Sequence, residues 1–191
     1  KSDPARTAAL RARYQSIAPG NLVVGLSWRS KNENIGVIKS TDLSVWADVL
    51  TVPGVTFVNL QYGACADELA AVKKTLGVEV FHDSEIDSLR DMDDFFAQVA
   101  AMDLVISTSN TAIHVAGSLD VPTWLLLLGS PGDLWYWFRN RADSPWYRSL
   151  RIFRQAQRTV EPNTESEWRK ILAEVGEDLR HRSPAPGARR Q

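Results

Sequence analysis

Five polar side chains stand together in the stretch LVISTSNTAIHVAGSL: Ser107, Thr108, Ser109, Asn110 and Thr111, with His114 three positions on. An apolar run of strand character ends where they begin, and a helical pattern starts where they stop. One N-cap is all that such a corner needs, because a single Ser, Thr or Asn side chain accepts from the free amides of the first turn. Either Ser109 or Asn110 can serve. The surplus hydroxyls and the imidazole face water, or they face something that wants donors. A helix start presents amides and about half a positive charge, so the chemistry it invites is anion binding, a phosphate above all. His114 lies among Ile113, Val115 and Ala116, and spacing alone favours a core histidine satisfied by a nearby backbone carbonyl.

A second set of groups lies in the loop RSKNENIGVIKST, where Arg29, Lys31 and Lys39 are cations for the same anion or solvated loop charges. The run GDLWYWFRNRADSPWYRS crowds Trp135, Tyr136, Trp137, Trp146 and Tyr147 into a long loop, as packing or as a stacking wall for a ring. Asp67 and Glu68 read as acids favoured in a first helical turn, and Cys65 as a small buried residue.

The elements that must position these groups follow from apolar patterning. Six runs read as strands: Asn21–Trp28, Gly54–Gln61, Val78–Asp83, Asp103–Ser107, Val121–Leu128 and Leu150–Gln155. Helical spacing joins Leu43, Trp46, Ala47 and Leu50, then Leu69, Val72, Lys73 and Leu76, then Phe95, Phe96, Val99 and Met102. Thr164 and Glu167 form a capping-box pattern ahead of Trp168, Ile171, Leu172, Val175 and Leu179. Strands apolar nearly throughout, each followed by a helix, predict a doubly wound α/β domain with a parallel sheet covered on both faces. Residues 1–20 read as an N-terminal helix or linker, 21–180 as the Rossmann-like domain and 181–191 as a disordered basic tail. If the strand order is 3-2-1-4-5-6, a ligand crevice opens between the carboxyl ends of the first and fourth strands, at Trp28 and Ser107. The polar corner and the Lys39 loop then face each other.

Composition limits the partners. The 191 residues are 44% hydrophobic and 24% charged with a formal charge of −1, the profile of an ordinary globular domain with no general attraction for nucleic acid. One cysteine and three scattered histidines supply neither a disulfide nor zinc-ligand spacing, which fits a reducing cytoplasm. No run approaches the ~20 apolar residues of a membrane span. Lys1 in the place of an initiator methionine predicts a fragment of a longer protein.

The segments VGLSWRS, VNLQYG, MDLVISTSNTAIHVAGSLDVPTWLLL and DSPWYRSLRIFRQ, in this order and spacing, resemble the C-terminal half of a GT-B glycosyltransferase. The resemblance is to transferases linked to tetratricopeptide repeats, similar to family 9 heptosyltransferases and more distantly to O-GlcNAc transferases. It implies a nucleotide-sugar donor and no other cofactor or metal, with the diphosphate resting on Ser109, Asn110, Thr111 and His114. Lys39, with Arg29 second, would supply the cation, and His114 and Lys39 the catalytic groups. Gln61 and Gly63 would line the nucleoside pocket. Two positions depart from the family pattern: Ser109 stands where heptosyltransferases often carry Asp, and Cys65 where an acid is expected for the ribose.

The resemblance further implies metal-independent transfer, inverting at the anomeric carbon. The base and the protein or glycan acceptor would belong to a missing N-terminal half. The same departures favour an alternative, a degenerate noncatalytic GT-B module serving protein contact in a repeat-containing assembly. A nucleotide-sugar epimerase is a third reading, for which the required acids and bases have no evident positions.

Overall fold

The computed structural model describes residues 1–32, 36–127, 134–154 and 165–184. Thr164, Leu128, Gln155 and residues 185–191, which enter the sequence reading, lie outside the described residues. The chain runs α1 (Pro4–Ile17), β1 (Leu22–Ser27), α2 (Gly36–Lys39), a 3-10 turn (Leu43–Trp46), α3 (Ala47–Leu50), β2 (Val55–Asn59), α4 (Ala66–Leu76) and β3 (Val80–Phe81). It continues through α5 (Met92–Ala100), β4 (Leu104–Thr108), α6 (Thr111–Ser118), β5 (Thr123–Leu127), a 3-10 turn (Trp135–Trp137), β6 (Leu150–Arg154) and α7 (Glu165–Arg182). All six strands pair in parallel in the order β3-β2-β1-β4-β5-β6, so the winding reverses between β1 and β4.

Caps written in the sequence set the helix ends. Asp3 accepts from the Arg6 amide ahead of Pro4, and Asp91 from the Asp94 amide. Gly77 closes α4 in the left-handed region, at φ 68°. The central strands β1, β4 and β5 are buried at every residue. Leu22, Val24 and Leu26 of β1 join a core with Trp46, Val49, Trp168, Ile171 and Val175, under α3 and α7. Val23 faces the other way, toward Leu10, Tyr14, Phe95, Val99 and Val115 of α1, α5 and α6. This two-sided burial is why the strands read as continuous apolar runs rather than alternating ones. Gly25 belongs to the same logic, since a Cβ there would stand 2.3 Å from Leu60 Cδ1.

The structure trims the strand readings. β3 is reduced to Val80 and Phe81, while β4 extends one residue past Ser107 to Thr108. β3 lies at the sheet edge with only β2 to pair against, and Glu79 just before it is exposed and ion-paired with Lys73 at 3.1 Å. The helical spacing at Leu43–Leu50 resolves into a 3-10 turn followed by one turn of α-helix.

α1 is fastened to the sheet as firmly as any later element. Leu10 and Tyr14 are buried, and Asp83, just past β3, accepts from both Tyr14 Oη and Arg13 Nη1 at 3.0 Å. Arg6 pairs with Asp94 at 2.9 Å and Arg11 with Asp103 at 2.5 Å. Among the described residues no helix is long and apolar enough to cross a membrane.

Candidate anion site at the switch point

The register pairs Ser27 with Ser107, so the carboxyl ends of β1 and β4 meet at the reversal of the winding. Asn110 holds the two ends together. Its Oδ1 caps α6 by accepting from the Ala112 amide at 3.0 Å and also accepts from Ser107 Oγ at 3.2 Å. Its Nδ2 donates across the crevice to Ser27 Oγ at 2.7 Å and to the Arg29 carbonyl at 3.1 Å. Every bond of this amide is used inside the protein, so Asn110 builds the site rather than facing into it.

Gln61 has the same character on the opposite side. Its Oε1 accepts from Ser27 Oγ and from the amides of Trp28 and Arg29, at 2.8 to 3.1 Å, and fixes the chain as it leaves β1. Gly63 lies exposed two residues further on, at φ 76°, in the left-handed conformation that glycine adopts without a steric cost. Ser109 Oγ is buried and accepts from Trp137 Nε1 at 2.9 Å. Arg29 is drawn away from the crevice by Glu68, 2.6 Å from its Nη2, and by the Ala64 carbonyl. Glu68 also accepts from Trp28 Nε1, so this acid of the first α4 turn organises the β1 exit as well as favouring its helix. Cys65 is buried at the N-cap of α4, and burial pushes its thiol pKa up.

Among the described residues Lys39, Thr111 and His114 keep polar groups for a ligand. Lys39, the last residue of the short α2, is half-buried, and no acceptor among the described residues pairs with its ammonium. Burial alone lowers its pKa, as expected for an uncompensated cation leaving water. Thr111 is exposed at the first position of α6, and among the described residues its hydroxyl and its amide meet no partner. His114, one turn on, is half-buried, and its pKa is lowered first by burial and then by the charge of Lys39, which places that cation within electrostatic reach.

The sequence-based expectation of a backbone carbonyl for His114 is corrected: its Nδ1 bonds the Tyr147 hydroxyl at 3.0 Å. Trp137 stacks on the imidazole at 5.4 Å between centroids, and Tyr136 and Tyr147 meet it edge-on. The crowded aromatic loop therefore packs against the anion side of α6. Beyond Thr111 lies an open, largely apolar hollow of about 190 Å³, lined by Leu60, Tyr62, Leu89, Met92, Phe95 and Ala112 with Ser88 and Thr111.

The structure thus brings Lys39, Thr111 and His114 to one place, and it turns Asn110, Gln61 and Arg29 into the frame around them. Tyr147, Glu68 and the hollow escaped the sequence reading as parts of the site. Only SPWY and the aromatic crowding hinted at the first.

No family model matches the chain. Over 180 residues, 93% of its length, it is 38% identical to Protein FlbA of Caulobacter vibrioides, and it spans 28% of that protein. Among solved structures it is similar to the glycosyl transferase family 9 protein of Veillonella parvula DSM 2008, with a TM-score of 0.58 and 13% identity over 94% of this chain and 44% of that one. The ADP-heptose LPS heptosyltransferase II of E. coli gives a TM-score of 0.57 and 15% identity over 94% of this chain and 53% of that one. At these identities the likeness is one of fold: a six-stranded, all-parallel Rossmann-like sheet of the kind that forms one half of a GT-B glycosyltransferase.

Proposed function

We propose that the chain is the donor-binding half of a glycosyltransferase, holding the diphosphate of a nucleotide sugar between Lys39 and the start of α6. The observation that carries this reading is a half-buried Lys39 within electrostatic reach of His114, across from a helix start at Thr111; among the described residues the lysine, the Thr111 amide and the Thr111 hydroxyl meet no partner. An unpaired cation withdrawn from water is costly unless a ligand supplies its counter-charge. The apolar hollow beside Thr111 has room for a planar ring, with Tyr62 in its wall. Likeness of fold to the two family 9 structures supports the assignment.

The chemistry follows from these groups. As the sugar departs, negative charge grows on the terminal phosphate oxygen, and a fixed amide, the Thr111 hydroxyl and Lys39 meet it at the crevice. The transfer is read as metal-independent and inverting, with the base on the acceptor side, outside this chain. The isolated chain would then bind donor nucleotide without transferring sugar. Calorimetric titration with UDP, ADP, GDP and CMP tests this: saturable binding of a nucleoside diphosphate is expected, and no heat with any of them at millimolar concentration would overturn the reading.

One set of observations favours the second reading, a noncatalytic module. Gln61 and Asn110 turn their amides to the protein itself, Arg29 gives its Nη2 to Glu68 and the Ala64 carbonyl, and a buried thiol stands at Cys65 where the family expects an acid. The same titration separates the two.

A further inference from the structure

We infer that Tyr147 is a positioning residue that holds His114 in its Nε2–H tautomer, so that a neutral imidazole presents a fixed N–H donor to the phosphate bound at the α6 start. The inference rests on the donor-site reading and adds the device that prepares one of its groups.

The geometry has three parts. Tyr147 Oη lies 3.0 Å from His114 Nδ1, and among the described residues that hydroxyl has no other partner. A phenol O–H donating to Nδ1 leaves the ring proton on Nε2. Gly117, three positions after His114 and so on the same face of α6, makes the approach feasible: a Cβ there would stand 2.4 Å from Tyr147 Cγ. Trp137 fixes the plane of the ring by stacking on it at 18°, and is itself anchored by donating from Nε1 to Ser109 Oγ. The orientation of the imidazole is therefore set by Tyr147 and its plane by Trp137, while among the described residues Nε2 meets nothing.

The charged and titratable groups that face the ring agree. Lys39 comes from α2, and Tyr136 and Tyr147 from the segment between β5 and β6; among the described residues no carboxylate is paired with the imidazole. A histidine beside a lysine and two phenols, half-buried, stays neutral, and a neutral ring donates to an anion only through the nitrogen that carries its proton. Without Tyr147 the two tautomers would share the population and part of the donor would be lost.

Histidine ring 15N spectra of the 191-residue chain, with His114 assigned by His114→Gln, read the tautomer directly. The wild type is expected to show an unprotonated Nδ1 and a protonated Nε2, and Tyr147→Phe, which keeps the ring packing, a mixture. Gly117→Ala, which displaces the phenol but keeps its hydroxyl, should give the same mixture. Inorganic pyrophosphate titrated into each form should bind Tyr147→Phe about 3- to 10-fold more weakly, the range of a neutral hydrogen bond. A wild-type proton on Nδ1, or a Tyr147→Phe spectrum identical to wild type, overturns the inference. Pyrophosphate that binds none of the forms would overturn the donor-site reading, and a locked tautomer in the same samples would still support the role of Tyr147.

Discussion

Two polar clusters sit at the carboxyl edge of this sheet, and they are built on opposite principles. Behind β3, Asp83 is 4% exposed and takes hydrogen bonds from Arg13, Tyr14 and the Glu85 amide, so each lone-pair direction meets a donor. Burial and the Asp83 charge both raise the Tyr14 pKa, keeping its phenol a donor. At the β1/β4 switch point Asn110 and the Gln61 carbonyl are likewise taken up by the protein, yet among the described residues Lys39, Thr111 and the Nε2 of His114 are left over. A cluster whose polar groups are all satisfied contributes to folding. One that leaves a cation and donors unmatched around a crevice has kept them for something outside the protein.

Cutting into the closed cluster should give the largest effect. Asp83→Ala leaves Arg13 with Glu85 alone, costs the buried Tyr14 phenol its acceptor and removes one tie between α1 and the sheet. We expect a loss of about 3 kcal/mol by urea unfolding, near the lower end for breaking a buried pair because Arg13 is partly exposed. Nucleotide affinity of the folded fraction should not change. A marked change in affinity would show that the two clusters are coupled.

Lys39→Ala probes the open cluster, and the sign of its stability effect should be opposite. Removing a half-buried cation that no described residue pairs leaves the free domain as stable or slightly more so, whereas nucleoside diphosphate affinity should fall about 10- to 100-fold, the equivalent of roughly 1.5 to 3 kcal/mol for a charge-assisted bond. Calorimetry and thermal melts on the same sample measure both. Unchanged affinity would return Lys39 to an ordinary loop charge.

Asn110→Ala tests the frame between them. Loss of an N-cap costs about 0.5 to 2 kcal/mol, here toward the upper end because the bonds to Ser27 and Arg29 go with it. Affinity should fall less than in Lys39→Ala. Thr111→Ala offers the converse comparison, with stability kept and the stabilisation by saturating nucleotide reduced.

This division of labour explains what the sequence could and could not reveal. The strand order was within reach because apolar runs, helical spacing and a cap at Ser109 or Asn110 are local, and a doubly wound sheet has few ways to connect them. The switch point followed, and with it the placing of Lys39 opposite His114. Whether an amide side chain turns inward was not legible: Asn110 and Gln61 have the composition of ligand contacts, and only their distances to Ser27, Trp28 and Arg29 show that the protein consumes them. The Tyr147 contact was further from view, since it spans 33 residues and depends on a Cβ that Gly117 lacks. Sequence spacing reports the neighbours of a residue along its own element. It is silent on which distant ring fills the space beside it.

The smallest effect distinguishes the clusters by pH. The folded-state pKa of His114 is held below its ordinary value of 6.5 by burial and by Lys39. As pH falls through 6.5 the unfolded chain binds a proton that the folded one still refuses, so the contribution of His114 to stability declines. The decline ends once the folded imidazole also protonates, at a pH lower than 6.5. In melts from pH 8 to 4.5, the difference between wild type and His114→Gln should therefore shift against the wild type below pH 6.5 and then level off. Lys39→Ala should narrow the window by removing the second cause of the shift. Bound pyrophosphate should narrow it further, because a phosphate beside the ring offsets the lysine charge. A difference that stays flat across this range would mean that His114 is not held neutral, and the open cluster would lose the one member whose charge state responds near neutrality.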